Sequence, residues 1–547
     1  MNRRLRALQP YAPYALLAAV VLLPFAAPGY IFTLDAAPVP HIPAPHAGGS
    51  DYLWQELLHI LNSAVPSQVI EKLLFVAIIL GSAIGMHRLM DFLQRRTGHD
   101  TTLGWGPARY FAGLLYAVNP FTYDRFMAGQ YGVLLGYALL PFVLEALLAF
   151  AVHPDRRGML RVALGIVLVS IVSLPTTGLA VLAGALTLAA AAWQQRRKAR
   201  LLRQYVRYGL GAAGIFAVLS SYWLLPALLG KGALAQQVHT FTPAHTAAFA
   251  TVGSGFVGKL AHVAQLQGFW VEPHGLFTLP QEQLPGWGTV RLLVWALAVV
   301  GAVVLYRSSR QLGATFLLIG LSGWLLAAGL AAGLLTHFGY REPQKFAALV
   351  ALSMAVFAGF GVAQIVALGR ARSEGWANAA VAAALVVLLL FTPTMYWGFG
   401  GQLRPRKYPD GWFAANAFLA QQGGSYQAVF LPWHEYMSFA FTADRIIANP
   451  AARFFGQPVT ISNDPELGAI KPPADAAATR IGALVAGGQH TPLLAAQLAG
   501  FNVRFVLLAK DYDYRRYNYL EQQPGFHRVF DSQSLRIYEN AAWKGYE

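Results

Sequence analysis

The chain has 547 residues, 56% of them hydrophobic and only 12% charged, with a mean hydropathy of +0.44. That is too apolar for a soluble protein of this length and reads as an integral membrane protein. The net charge of +16 raises nucleic acid as a partner, yet 27 Lys and Arg against 13 Asp and Glu lie up to Trp397, so 14 of the 16 excess charges belong to the apolar part. There the basic residues gather in alternate short loops, which is the positive-inside pattern of a membrane protein and sets nucleic acid aside. The absence of cysteine excludes disulfides and thiolate chemistry.

The amino terminus, "MNRRLRALQPYAPYALLAAVVLLPFAAPG", has a basic start with Arg3, Arg4 and Arg6, then a long apolar stretch followed by Tyr30 rather than a small-x-small cleavage site. It reads as a retained first span. Apolar runs long enough for a helix of about 20 residues then predict eleven spans. They fall at 14–28, 69–89, 107–118, 131–152, 160–174, 178–193, 206–229, 290–306, 313–335, 346–368 and 377–397, the third of them short. Eleven crossings put the amino terminus in the cytoplasm and the carboxyl terminus outside, in a plasma (inner) membrane. The chemically rich loops, 30–68, 119–129, 230–289 and 336–345, then face outward from a transmembrane domain over residues 1–397.

Residues 398–547 carry balanced charge and predict an extracytoplasmic α/β domain of ordinary size. "YQAVFLPW", "NVRFVLLAK", "FHRVFDS" and "LRIYEN" read as strands. "ATRIGALVAG" and "TPLLAAQLAGF" have helical spacing, the second with Gly500 as its carboxyl-terminal cap. No phosphate-loop or dinucleotide signature is present.

Three outer segments carry candidate chemistry. In "NPFTYDRFMAGQYG", the Asn-Pro turn signal, Gly129 and Gly132 predict a hairpin that holds Asp124 and Arg125 at the membrane surface. Arg125 there can grip an anionic headgroup with two parallel hydrogen bonds, or the pair can simply contact each other as an interfacial anchor. In "THFGYREPQKF", Arg341 and Lys345 flank Glu342 on the side where basic residues are disfavoured. They suggest a phosphate or acidic substrate, with snorkelling as the plainer alternative. The first loop contains Asp35, close after the first span, and Asp51, at the start of an amphipathic helix whose Trp54, Leu57, Leu58 and Leu61 suit a membrane interface. A carboxylate at the bilayer edge can act as general base toward a hydroxyl, or serve as an ordinary turn residue.

The histidines His41, His46, His59, His239, His245, His262 and His274 are scattered, with no tight ligand pair and hence no assigned metal ligand. His59 joins Asp124, Arg125, Arg341, Glu342 and Lys345 as a candidate substrate-binding residue. The small-residue spacing in "GVLLG" reads as a helix contact.

"NPFTYDRFMAGQYGVLLGYALLPF" resembles the hairpin of GT-C class membrane glycosyltransferases, in particular the membrane part of bacterial α-(1,3)-arabinofuranosyltransferases and their uncharacterised relatives. "YREPQKF" is similar to their Arg-Glu-Pro loop, and "VFLPWHEY" with the stretch from Asn502 to Asn540 to their extracytoplasmic tail. The resemblance implies a GT-C-like transmembrane fold, a polyprenyl-phosphate-linked sugar as donor, and inverting transfer to an extracytoplasmic glycan, lipid or protein. It also implies an acidic residue of the first outer loop as base, here Asp35 with Asp51 as rival, and Arg125, Arg341 and Lys345 on the departing lipid phosphate. The family's larger members carry carbohydrate-binding modules that this sequence does not contain. A divalent metal, Mg or Mn, can assist such chemistry, though no residue is marked for it. A transporter or flippase of lipid-linked glycans, or a non-catalytic envelope assembly protein, are the competing readings; the near absence of charge away from the ends of the spans, Glu145 apart, weighs against transport.

Overall fold

The computed structural model describes residues 9–45, 47–98, 106–232, 234–235, 241–337, 339–468, 470–491 and 493–545. Arg3, Arg4, Arg6, His46 and His239 lie outside the described residues. The chain divides into two compact units. The first comprises Met1–Pro24, Pro45–Leu57 and Lys72–Gln402, the second Phe25–Ala44, Leu58–Glu71 and Leu403–Glu547. A single boundary at 397/398 therefore misses an exchange: most of the first outer loop packs with the tail.

The first unit is helical. In chain order its main helices, shorter ones between them left aside, are α1 (Ala12–Leu22), α2 (Tyr52–Asn62), α3 (Ser67–Thr97), α4 (Pro107–Ala117), α5 (Pro120–Ala128), α6 (Tyr131–Val152), α7 (Arg156–Val172), α8 (Leu174–Gln194), α9 (Ala199–Leu219), α10 (Ser221–Leu228), α11 (Trp287–Ser308), α12 (Arg310–Ala327), α13 (Ala347–Arg370) and α14 (Glu374–Phe391), with α2 and α3 running on into the second unit. Among the described residues eight helices are long and apolar enough to cross a membrane, nine if the bent pair α9 and α10 counts as one span. The protein is thus a polytopic α-helical membrane protein, with fewer qualifying spans than the eleven expected. The difference is physical. α4 has 11 residues and α7 has 17, which at ~1.5 Å per residue reach only about 17 and 26 Å against a hydrocarbon core of about 30 Å. The expected span 206–229 instead breaks at Ser220, where α9 and α10 meet at 91°, beside the kind of serine pair that disrupts helical hydrogen bonding.

Burial orders the helices. The span containing α13 is apolar on every face and 94% buried, whereas the spans of α11 and α14 are each 28% buried. A helix without a polar side needs no contact with water, and α13 packs at the centre against α4, α11, α12 and α14. The outer helices turn side chains such as Leu292 and Leu389 outward, as a lipid solvent permits. Glu145 on α6 lies 3.5 Å from Arg88 on α3, so the charge noted within a span is paired.

The "GVLLG" stretch works as the spacing suggested. A Cβ on Gly132 would lie 2.7 Å from the Val172 carbonyl oxygen, and one on Gly136 would lie 2.6 Å from Thr176. Only glycine lets α6 come this close to the end of α7 and the start of α8.

In the second unit, α15 (Asp410–Ala420), α16 (Ala477–Gly487) and α17 (Leu494–Ala499) accompany β1 (Gln427–Leu431), β2 (Tyr436–Ser438), β3 (Ile446–Ala448), β4 (Val459–Thr460), β5 (Val503–Ala509), β6 (Phe526–Asp531) and β7 (Leu535–Asn540). The five-stranded sheet has order β4-β1-β5-β7-β6, parallel through β4, β1 and β5 and antiparallel at β7 and β6, while β2 and β3 form a hairpin. All four strands expected from the sequence are present. Gly500 follows α17 with φ −62, and the left-handed residue that ends the turn is Asn502 at φ 61.

One face of this sheet buries Trp412 of α15 with Phe430, Phe439, Phe454 and Phe455. Phe32, Ala37 and Val39 of the first loop enter the same core. Backbone pairing fixes that loop: Tyr30 and Arg406 exchange hydrogen bonds of 2.7 and 2.9 Å, and the Ala448 amide donates to the Leu34 carbonyl at 2.7 Å.

Candidate active site

The site grows from the local chemistry of "NPFTYDRFMAG". Asn119 and Thr122 cap each other reciprocally, Asn119 Oδ1 accepting from the Thr122 amide at 3.2 Å and Thr122 Oγ1 accepting from the Asn119 amide at 3.1 Å. Pro120 follows at the first helical position and Gly129 closes α5 at φ 78. The Asn-Pro pair is therefore a helix start, not an exposed turn. Every residue of α5 is buried, and Asp124 and Arg125 are both 0% exposed, so neither side chain is free to meet a lipid headgroup as the hairpin reading expected of Arg125. Successive residues on a helix point about 100° apart, so the two charges have different partners.

Arg125 lies between the rings of Phe269 and Phe121, 4.2 and 5.4 Å from their centroids. Its Nη1 donates to Glu342 Oε2 at 2.8 Å and to Gln130 Oε1 at 2.6 Å, and its Nη2 donates to Gln344 Oε1. Glu342, 2% exposed, also meets Lys345 Nζ at 3.3 Å and Arg341 Nε at 3.8 Å. Burial by itself would push the Glu342 carboxyl up, but Lys345, Arg125 and Arg341 outweigh it and hold it at about 2. Three cations thus share one carboxylate. The Arg341 guanidinium rests 4.3 Å from the centre of the Phe249 ring.

Beside this cluster is a cavity of about 430 Å³, all of whose lining residues belong to the first unit. Arg341, Glu342 and Lys345 line it together with Asp51, and the first residues of α6 and α8 complete the wall. Helix amino termini carry partial positive charge, and two of them meet here. α8 is capped by Ser173, whose Oγ accepts from the Thr176 amide at 3.3 Å. α6 has no side-chain cap, because its preceding residue Gln130 turns toward Arg125 and Glu342. Tyr340 ties the cationic loop to the α8 start by donating to the Pro175 carbonyl at 2.7 Å. The arrangement is chemically suited to a partly hydrated anion such as a phosphate.

Of the sequence candidates, Asp51, Arg341, Glu342 and Lys345 share this cavity, and Arg125 meets it through Glu342 and Gln130. Asp35 belongs to the second unit, exposed, where it accepts from the Tyr436 hydroxyl at 3.1 Å. His59 is also there, its Nδ1 2.7 Å from the Ile42 carbonyl oxygen. Among the described residues no group of three His, Asp or Glu side chains comes together to hold a metal ion, so none is assigned to Mg or Mn. Sequence reasoning missed Gln130, Gln344, Phe269 and Glu272. The two glutamines lie inside quoted motifs and would have been found by asking what neutral group a buried arginine needs. Phe269 and Glu272 sit in a loop of some sixty residues with no periodic signal.

No known family model and no curated protein sequence matches the chain. Solved structures do. The cryo-EM structure of arabinofuranosyltransferase AftD from Mycobacteria aligns over 99% of this chain and 40% of its own, at 16% identity and a TM-score of 0.67. A mutant of that enzyme aligns over 98% and 42%, at 17% identity and a TM-score of 0.63. ArnT from Cupriavidus metallidurans, in the apo state, aligns over the full length of both chains at 11% identity with a TM-score of 0.49, too remote to bear on the site. The chain spans about two fifths of the length of AftD. At such identities the likeness establishes the fold, which is the GT-C class fold that the sequence motifs resembled.

Proposed function

We propose that this protein is a membrane glycosyltransferase that takes a sugar from a polyprenyl-phosphate donor and transfers it, with inversion, to an extracytoplasmic glycan, lipid or protein. The observation that carries the reading is the surplus of cations around Glu342, at a cavity into which two helix amino termini also point. The fold shared with an arabinofuranosyltransferase supports it.

In this reading the donor phosphate sits in the cavity against Arg341, Lys345 and the uncapped start of α6. The acceptor oxygen bonds to the anomeric carbon as the bond from that carbon to the phosphate oxygen breaks. Asp51, which lines the cavity, accepts the proton of the attacking hydroxyl, and Asp35 is the rival base. The leaving phosphate departs as an anion and needs no acid; fixed positive charge stabilises what develops on it. Arg125 and Glu342 hold the two cations in register. We place the cavity and the second unit on the outer side of a plasma (inner) membrane, with the amino terminus in the cytoplasm, as the basic loops suggest.

The test is turnover of the purified full chain in detergent with labelled polyprenyl-phosphate pentoses and hexoses, comparing wild type with Asp51→Asn and Asp35→Asn. Loss of turnover in Asp51→Asn alone supports the assignment, and loss in Asp35→Asn alone transfers the base to that residue. Turnover absent with every donor would return the protein to the assembly reading.

A further inference from the structure

The mechanism leaves one buried carboxyl unused. Asp124 is 0% exposed, and neither of its oxygens accepts a hydrogen bond from an N–H or hydroxyl donor. Its partner is a second carboxyl, that of Glu272, from the loop between α10 and α11. Two ionised carboxylates cannot share such a place, so one proton must lie between them. The backbone decides where it sits. Glu272 Oε1 accepts from the Gly268 amide at 2.7 Å and from the Phe269 amide at 2.9 Å, donors that favour its ionised form. The proton is left on Asp124, which donates to Glu272.

We propose that this shared proton is a switch on the anion affinity of the cavity: Asp124, while neutral, keys the Gly268–Glu272 turn onto α5 and leaves the cationic cluster without a further negative charge beside it. Two consequences follow from the contacts. The turn held by the pair carries Phe269, whose ring packs on the Arg125 guanidinium that grips Glu342. The charges also count directly: Arg125, Arg341 and Lys345 face Glu342 and Glu272, with Asp51 on the cavity wall besides, and ionisation of Asp124 would add one more negative charge beside the three cations. The groups that face Asp124 are Glu272 from the loop and Arg125 on its own helix; Glu342, Lys345 and Arg341 lie beyond Arg125. Burial, and next the Glu272 charge, push the Asp124 carboxyl well above its ordinary range.

The proposal rests on the reading of the cavity as a phosphate site, and its test separates the two. Binding of farnesyl phosphate to the full chain in detergent is measured by calorimetry between pH 7.5 and 10, where the phosphate itself is already fully ionised. In wild type, affinity falls by up to roughly tenfold per pH unit once the pair titrates, the limit for one linked proton. In Asp124→Asn, whose amide stays neutral and donates to Glu272, that alkaline limb is absent. Glu272→Gln removes it as well, because its amide can donate to an ionised Asp124. Melting temperature without ligand gives a second readout, falling in wild type as pH rises above the ordinary carboxyl range until Asp124 ionises in the folded protein, and less so in the two variants. A parallel alkaline loss in all three proteins, in binding and in melting, overturns the proposal and assigns the titration to Lys345. Absence of binding at every pH overturns the phosphate reading and the coupling with it, while the melting difference still reports the shared proton.

Discussion

Arg125 and Glu342 lie 217 positions apart in the chain and meet at 2.8 Å, neither with more than 2% of its side chain exposed. The pair joins α5 to the residues that lead into α13, whose span is the most buried of the candidate membrane spans among the described residues, and so fixes the position of Lys345 and Arg341 beside the cavity.

Glu342→Gln leaves three cations without their shared anion. Breaking a buried pair by removing one partner costs about 3–5 kcal/mol, so the variant should melt well below wild type in the same detergent. A melting temperature within experimental error of wild type would show that the cluster contributes nothing to the fold.

The same residue predicts a dependence on acid. Its carboxyl is held at about 2 against an ordinary 4.5, a depressed value, so its stabilisation is complete above about 4.5 and is lost as pH falls toward 2. Melting followed from pH 6 downward should therefore decline more steeply in wild type than in Glu342→Gln across that window.

Lys345→Ala and Arg341→Ala test the anion site. A hydrogen bond to a charged partner contributes about 1.5–3 kcal/mol, so each substitution should weaken binding of a polyprenyl phosphate by roughly 10- to 150-fold. Raised salt should narrow the gap between wild type and variants, more so for Arg341, which is 39% exposed, than for Lys345, which is 14% exposed. Unchanged affinity in both variants would remove the phosphate from this cavity.

Gly132→Ala places a methyl group where the Val172 carbonyl already sits 2.7 Å away. Overpacking of this kind costs about 1–3 kcal/mol, and the relief available is to move the start of α6 off α7, out of the cavity wall. Lower thermal stability together with weaker anion binding is the expected result; wild-type values of both would place the close approach elsewhere.

How much of this was legible beforehand follows from the range of each signal. Apolar length and loop charge are local properties, so the sequence alone determined a polytopic membrane protein, the strands of the tail, and "YREPQKF" as a cationic loop of interest. It also drew attention to Asp124 and Arg125, but as surface residues, because the Asn-Pro pair that begins a capped helix looks the same in sequence as one that begins a turn. Only the tertiary structure decided that Arg125 is buried against Glu342, that Asp124 faces Glu272 across 148 positions, and that the loop carrying Asp35 packs with the carboxyl-terminal sheet. Those pairings join segments more than a hundred residues apart. A chain records in its local pattern what each segment tends to become, while the partner of a buried charge is chosen by which distant helices pack together and by the cost of leaving that charge alone.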